Sequence, residues 1–352
     1  MARTYGNLWP QFVSWENLLA AYHLCRRRKR ARPEAARFEF DWEFELIQLQ
    51  RELSDGSYAP GAYRNFFIHE PKRRKISAAP YRDRIVHHAL VRVLEPIFER
   101  RFIFDSYACR KRKGTHRAVD RAHGFLRKNA YYLKTDIVRF FPNVDHAVLL
   151  EVIGQHVRDE RLVALIGRII ASGAGLLADE ATNGLFSGDD LFALLRPRGL
   201  PIGNLTSQFF ANVLLDTVDH CVKEELRAPG YVRYADDLLL FGESKSQLGE
   251  WRYAVARRLA GLRLKLHDNK TCIAPCPRGL TFLGFVLRPE GRRLPQQSLS
   301  RFRRRMRRLR WLKQHGMVRP RTIGASIAGW LAYAGGASSA GVRRSFWRQI
   351  RF

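Results

Sequence analysis

The chain has 352 residues, enough for two or three subdomains around a sizeable core. Hydrophobic residues make up 46% and aromatics 12%, which excludes a disordered or low-complexity tail. Sixty-two Lys and Arg against 33 Asp and Glu give a formal charge of +29, and self-repulsion of that size points to a polyanionic partner, nucleic acid before an anionic membrane.

In chain order, Met1-Ala2-Arg3-Thr4-Tyr5 opens the sequence without the apolar stretch of a secretory signal. Residues 1–60 read as a helical, partly basic segment with Phe40, Phe44 and Ile47 at helical spacing. Residues 61–290 alternate strand-like and helix-like patterns, as an α+β body does. Tyr131 to Ile137 is a β-branched and aromatic run that predicts a strand. Ala147 to Ile170 and Leu248 to Leu264 have the apolar period of helices. The longest apolar run, Leu162 to Ala178, is broken by Arg168 and by glycines, so no membrane span is expected. Gly173 to Gly199 reads as a Gly-rich surface loop. Tyr231 to Tyr234 and Leu238 to Phe241 flank Ala235-Asp236-Asp237 and predict a hairpin; Thr281 to Leu287 reads as one further strand. Pro289-Glu290-Gly291 marks a turn, after which residues 291–352 read as all-helical, with sixteen Lys and Arg and no acid. Five scattered cysteines without a CxxC pair fit a reducing cytoplasm rather than a disulfide framework or a zinc site.

Two adjacent acids, Asp236 and Asp237, at the tip of so apolar a hairpin need a reason. A simple turn is one, since Asp is a common turn residue. A hard-cation site is the other, because a divalent ion removes the repulsion between neighbouring carboxylates. Asp136 ends another apolar strand and precedes Phe140-Phe141-Pro142. Were the two strands neighbours, three carboxylates would converge, as two-metal phosphoryl transfer requires. Asp189-Asp190 is also an acidic pair, but it lacks a preceding apolar strand and reads as loop.

Tyr234-Ala235-Asp236-Asp237 resembles the Tyr-x-Asp-Asp box of reverse transcriptases. Further blocks over about residues 62–290 resemble the family in the same order. They are Pro71 to Ile76 with Asp83 to Leu90, Leu133-Lys134-Thr135-Asp136 with Phe140-Phe141, Gly199 to Gln208, Leu264 to Thr271, and Phe282-Leu283-Gly284-Phe285. Ile202, where most relatives carry Gln, and Ser207-Gln208, where they carry Ser-Pro, are similar to the enzymes of diversity-generating retroelements; so is Asp105 to Arg110 followed by Lys113-Gly114-Thr115-His116. Nothing downstream resembles an RNase H domain or a Cys/His endonuclease.

The resemblance implies a right-hand polymerase: fingers and palm over 61–290, the palm on an antiparallel sheet, and a short, helical, strongly basic thumb over 291–352. It implies RNA-templated DNA synthesis, error-prone at template adenines. Two Mg²⁺ ions would be held by Asp136, Ile137, Asp236 and Asp237, with the three carboxylates catalytic. Around the nucleotide it places Lys72, Arg74, Phe141, Ile202, Gly203 and Lys270. Arg74 is the phosphate clamp with Lys72 as helper, and Phe141 is a steric gate against a ribose 2′-OH. Each also has a plain reading, a solvated basic turn for Lys72 and Arg74 and core packing for Phe141. The partners implied are a template RNA with its primer, dNTPs and a small basic accessory protein, in the cytoplasm. An antiphage-defence enzyme, an orphan group II intron-like enzyme and an RNA-binding scaffold with an idle site are the alternatives.

In the last part, Leu299, Phe302, Met306, Leu309 and Leu312 form a helical core stripe. The other faces carry seven arginines, among them Arg303, Arg304, Arg307 and Arg308, which repel one another at i,i+4 spacing and suit a phosphate backbone. Trp311, Trp330 and Trp347 read as core or helix-docking residues.

Overall fold

The computed structural model describes residues 4–69, 73–182, 184–339, 341 and 344; Lys72 and Trp347 lie outside them. The chain opens with α1 (Trp9–Val13), α2 (Trp15–Arg26), α3 (Pro33–Phe40) and α4 (Trp42–Asp55). Ser14 caps α2 by accepting the Asn17 N–H at 3.2 Å. Asp41 leaves helical geometry at φ −138°, ψ 46°, so Phe40 and Phe44 stand on different helices. The expected stripe is therefore not a core face: Phe40, Phe44 and Ile47 are exposed, and α4 buries Leu46, Leu49 and Leu53.

A two-stranded hairpin follows, β1 (Arg64–Ile68) with β2 (Arg74–Ala78), and then α5 (Tyr81–Glu99), which buries twelve residues against α2 and the helices beyond. Next come α6 (Thr115–Leu126), β3 (Tyr131–Asp136), the single turn α7 (Phe140–Asn143), α8 (His146–Gly154) and α9 (Glu160–Ala171). The apolar stretch from Ala147 is thus two helices, each started by an aspartate. Asp145 accepts the Ala147 and Val148 N–H groups, and Asp159 accepts that of Leu162. The 173–199 segment is a loop with short 3₁₀ turns at Ala178–Glu180 and Leu191–Leu195. Beyond it lie α10 (Leu205–His220), running on into a π turn, β4 (Gly230–Tyr234), β5 (Asp237–Gly242), α11 (Lys245–Gly261) and β6 (Cys272–Pro275). Then follow β7 (Leu280–Phe282), β8 (Phe285–Arg288), β9 (Gly291–Arg293), α12 (Gln296–Gln314) and α13 (Pro320–Ala334).

The main sheet is antiparallel in the order β4-β5-β3-β6. Its strands read as continuous apolar runs because both faces are covered. Leu238 and Leu240 join the large helical core, while Leu239 and Phe241 point the other way, into a second core with α6 and the β7–β8 hairpin. Two expectations fail here. The run Thr281 to Leu287 is not one strand: Leu283 and Gly284, at φ +46° and +86°, make the two-residue turn between β7 and β8. Residues 291–293 are not helical but form β9, paired with β8.

Along α12, Phe302 stacks on Trp330 of α13 with ring centres 4.3 Å apart, and Met306 is buried beside them. Trp311 is not core; it is half exposed and packs on His315. Among the described residues no helix is long and apolar enough to cross a membrane.

His87, on the buried face of α5, has no hydrogen-bond partner for Nδ1. Burial pushes its imidazole down to about 3 and that of His88 to about 4. Both stay neutral in the fold, whereas the unfolded chain protonates them near pH 6.5, so the stability they favour is present above that pH and lost as pH falls toward 4. Denaturant unfolding at pH 6.5 and 4.5 should show His87 alone contributing a loss on the order of 2 kcal/mol. His87→Leu should flatten that slope; an unchanged slope contradicts the assignment.

Candidate active site

Asp136, Asp236 and Asp237 become neighbours because two strands pair in one register. Asp136 is the last residue of β3 and Asp237 the first of β5, and they sit directly opposite each other. Asp236 occupies the two-residue turn between β4 and β5, closed by the pair Tyr234 and Asp237. Ala235 precedes it at φ +53°, a conformation that costs an alanine about 1–2 kcal/mol. Strain of this kind persists only where the surroundings hold it.

What holds it is a buried cation that the sequence reading passed over. Arg233 on β4 and Asp219 on α10 are both fully buried. The guanidinium donates from Nε and Nη2 to the Asp219 carboxylate at 2.7 and 2.6 Å, and from Nη1 to Asn212 Oδ1 at 3.0 Å and the Ala235 carbonyl at 3.3 Å. The Tyr231 hydroxyl donates to the same carboxylate at 2.8 Å. The outer edge of β4 is fastened too: the Arg233 N–H donates to the Asp105 carbonyl, and the Tyr107 N–H to that of Arg233. A signal was present, since an arginine inside Tyr-Val-Arg-Tyr and an aspartate in an apolar helix both need partners when buried.

Around the turn, Asp236 is pushed up to about 7, first by burial, then by repulsion from Asp136 and Asp237. Lys270, ending a 3₁₀ turn before β6, forms an ion pair with Asp136. Among the described residues no three His, Cys, Asp or Glu side chains close around a point as a ready-made metal cage. The donor chemistry nonetheless fits a hard cation, since a carboxyl held up by burial and by like neighbours is one that a divalent ion would ionise. Ile137 is buried and follows Asp136 directly, so its main chain flanks the carboxylates.

Phe141, Ile202, Gly203 and Arg74 stand on segments that are bonded to one another. Phe141 is half buried and meets the buried Phe140 edge to face at 5.3 Å. Its carbonyl accepts the Leu200 N–H at 2.8 Å, which brings the 199–204 loop alongside. The Ile202 carbonyl accepts the Ser77 N–H at 3.0 Å, and Asn204 donates to the Ser77 carbonyl at 2.9 Å and accepts the Ala79 N–H at 3.1 Å. Gly203 lies at φ +115°, and a Cβ there would come within 2.7 Å of Ile76, so no larger residue fits. Arg74, exposed at the start of β2, shares a strand face with Ile76. Arg303, Arg304, Arg307 and Arg308 are exposed on α12. Asp189 accepts from Arg263 and Asp190 caps a 3₁₀ turn, as loop residues do.

Asp219→Asn should leave the Arg233 charge buried and half paired, destabilising the fold by about 3–5 kcal/mol in denaturant titrations. The joint replacement of Asp219 by Leu and Arg233 by Met should regain much of that. A single-variant loss below about 1 kcal/mol would show that the pair is not what holds β4 to α10.

Comparison with known proteins agrees with this arrangement. The reverse transcriptase (RNA-dependent DNA polymerase) family matches residues 68–287. Protein YkfC of Escherichia coli K12 is 25% identical over 316 residues, covering 76% of this chain and 80% of that protein. Group II intron-encoded protein LtrA of Lactococcus lactis is 21% identical over 338 residues, and the chain spans about half of that longer protein, 54% of it against 81% of this one. Nuclear intron maturase 2 of Arabidopsis thaliana is 26% identical over 137 residues, covering 34% of this chain and 19% of that protein. With more than half of its length matched, and the Asp136 strand set against the Asp236-Asp237 turn, this chain belongs to the reverse transcriptase family of RNA-dependent DNA polymerases.

Proposed function

We propose that the chain copies RNA into DNA with Asp136, Asp236 and Asp237 as its catalytic carboxylates. The observation that carries this reading is the antiparallel pairing that sets Asp136 opposite Asp237 beside the Asp236 turn. Two Mg²⁺ ions would be held by these carboxylates and the Ile137 carbonyl. Bound there, they would neutralise charge on the triphosphate and favour ionisation of the primer 3′-hydroxyl. The chain's own residues do the rest. Arg74, with Lys72 as helper, grips the triphosphate. Phe141 fills the space of a ribose 2′-OH. Ile202 and Gly203 flank the base being read. Lys270, swung from Asp136, meets the charge of the leaving pyrophosphate. In hand terms, residues 61–290 make fingers and palm and 291–352 the thumb, whose Arg303, Arg304, Arg307 and Arg308 run along the phosphates of the template–primer duplex. Five free thiols suit a reducing compartment such as the cytoplasm.

Asp236→Ala should abolish primer extension on an RNA template with dNTPs and Mg²⁺, while leaving RNA affinity near wild type. Synthesis close to wild type would overturn the reading, and equal affinity for RNA with no synthesis in either protein would favour the idle scaffold.

Relatives that include an intron-encoded protein and an intron maturase favour an intron-type enzyme over the diversity-generating type. One observation still supports the latter: Ile202 stands on the 199–204 loop where a hydrogen-bonding Gln is usual. Ile can neither donate nor accept, and an apolar contact separates close analogues by only about 1–3 kcal/mol. On that reading the enzyme errs opposite template adenines and works with a small basic accessory protein. Sequencing cDNA made by wild type and Ile202→Gln from one template decides between them. An excess of adenine errors that falls in the variant supports the diversity-generating type; no excess in wild type leaves the intron type.

A further inference from the structure

Between the 173–199 loop and the segment after Asp136 lies a cavity of about 170 Å³. Val138 and Asn143 form one side of it. The loop is fastened there, since Asn143 Nδ2 donates to Thr182 Oγ1 at 2.7 Å and the Thr182 N–H donates back to Asn143 Oδ1 at 2.9 Å. Four cationic side chains line the cavity, Arg196, Arg198, Arg263 and Lys265, with one carboxylate, Asp145. That carboxylate is already shared: Oδ1 caps α8, and Oδ2 faces Arg196 at 3.3 Å and Arg263 at 3.2 Å. Asp189 takes another edge of Arg263. Arg198 donates to the Thr182 and Leu194 carbonyls at 3.0 and 3.2 Å, and Lys265 reaches the Leu185 carbonyl at 3.5 Å. The Leu185 carbonyl satisfies a Lys265 donor without neutralising its charge. Among the described residues, Arg196, Arg263 and Lys265 thus gather with Asp145 and Asp189 around a partly enclosed space that Arg198 also lines, and water screens them less there than on open surface. Guanidinium forks and an ammonium are the groups that hold phosphate oxygens. Arg74, Phe141, Ile202 and Lys270 do not line this cavity, so it is separate from the nucleotide grip proposed above.

We propose that this cavity binds a phosphate group, carried by a nucleic-acid strand or present as free phosphate or pyrophosphate. Its ligand braces the segment from Val138 to Asp145 against the loop.

The test uses the full chain, Lys265→Gln and the double variant Arg198→Gln with Lys265→Gln. Lys265 is exposed, so its single variant keeps the fold even if the double variant does not. Thermal unfolding is followed in phosphate, in pyrophosphate and in chloride at matched ionic strength. Binding of single-stranded RNA is measured from 50 to 200 mM salt. If free anion is the ligand, phosphate or pyrophosphate raises the wild-type midpoint above chloride, and the variants lose that gain. If the strand backbone is the ligand, the log–log salt slope of RNA binding falls by about one for each lost contact, without a phosphate-specific gain. A phosphate gain that both variants keep, or no gain together with unchanged slopes, overturns the proposal.

Discussion

One buried ion pair holds the centre of this molecule in place. Arg233 and Asp219 lie fully out of solvent between β4 and α10, where a lone charge would be prohibitive. The pair is tolerable because every edge is used, the carboxylate by Arg233 and Tyr231, the guanidinium by Asp219, Asn212 and the Ala235 carbonyl. Burial lifts the Asp219 carboxyl above its usual range despite the cation beside it. The pair's product is a fixed angle between a helix and a strand, and with it a turn whose main chain would otherwise relax. Asn212 also donates to the Ala108 carbonyl, which ties the covering 105–108 segment to the same helix.

Charge elsewhere follows two rules. In the body, several cations are paired with acids: Arg110 with Glu99, Arg121 with Asp105, Arg263 with Asp145 and Asp189. On α12 the arginines lack acids on their own helix and stand in solvent. Their mutual repulsion is bearable at ordinary salt because the Debye length is only about 8–10 Å. A helix so charged rests on the Phe302–Trp330 stack rather than on its own surface.

Much of this was legible in the sequence, for physical reasons. The central strands could be read because burial on both faces leaves long apolar runs, and the acids between them could not be explained by packing. The same property hid the β7–β8 turn, since Leu283 carries no turn signal and only Gly284 marks the reversal. Phe40 and Phe44 misled because spacing says nothing of a break at Asp41. Arg233 was visible as an oddity, but its partner lies fourteen residues upstream on another element, and pairing at that range is a property of the fold. Asn204 was legible only as part of a block; that it knits two segments together appears once β2 is seen beside it.

That knitting has a mechanical consequence. Ser77 on β2 exchanges hydrogen bonds with Ile202 and Asn204, and Leu200, two residues earlier, bonds to Phe141. The strand carrying Arg74, the loop carrying Ile202 and the turn carrying Phe141 are thus one linked lever rather than three independent parts. A tilt of the hairpin shifts the ring and the loop with it. On the reading proposed above, in which Arg74, Phe141 and Ile202 meet the phosphates, the sugar and the base, a misfit at one position would disturb the other two, and a substitution in one part is felt in the others.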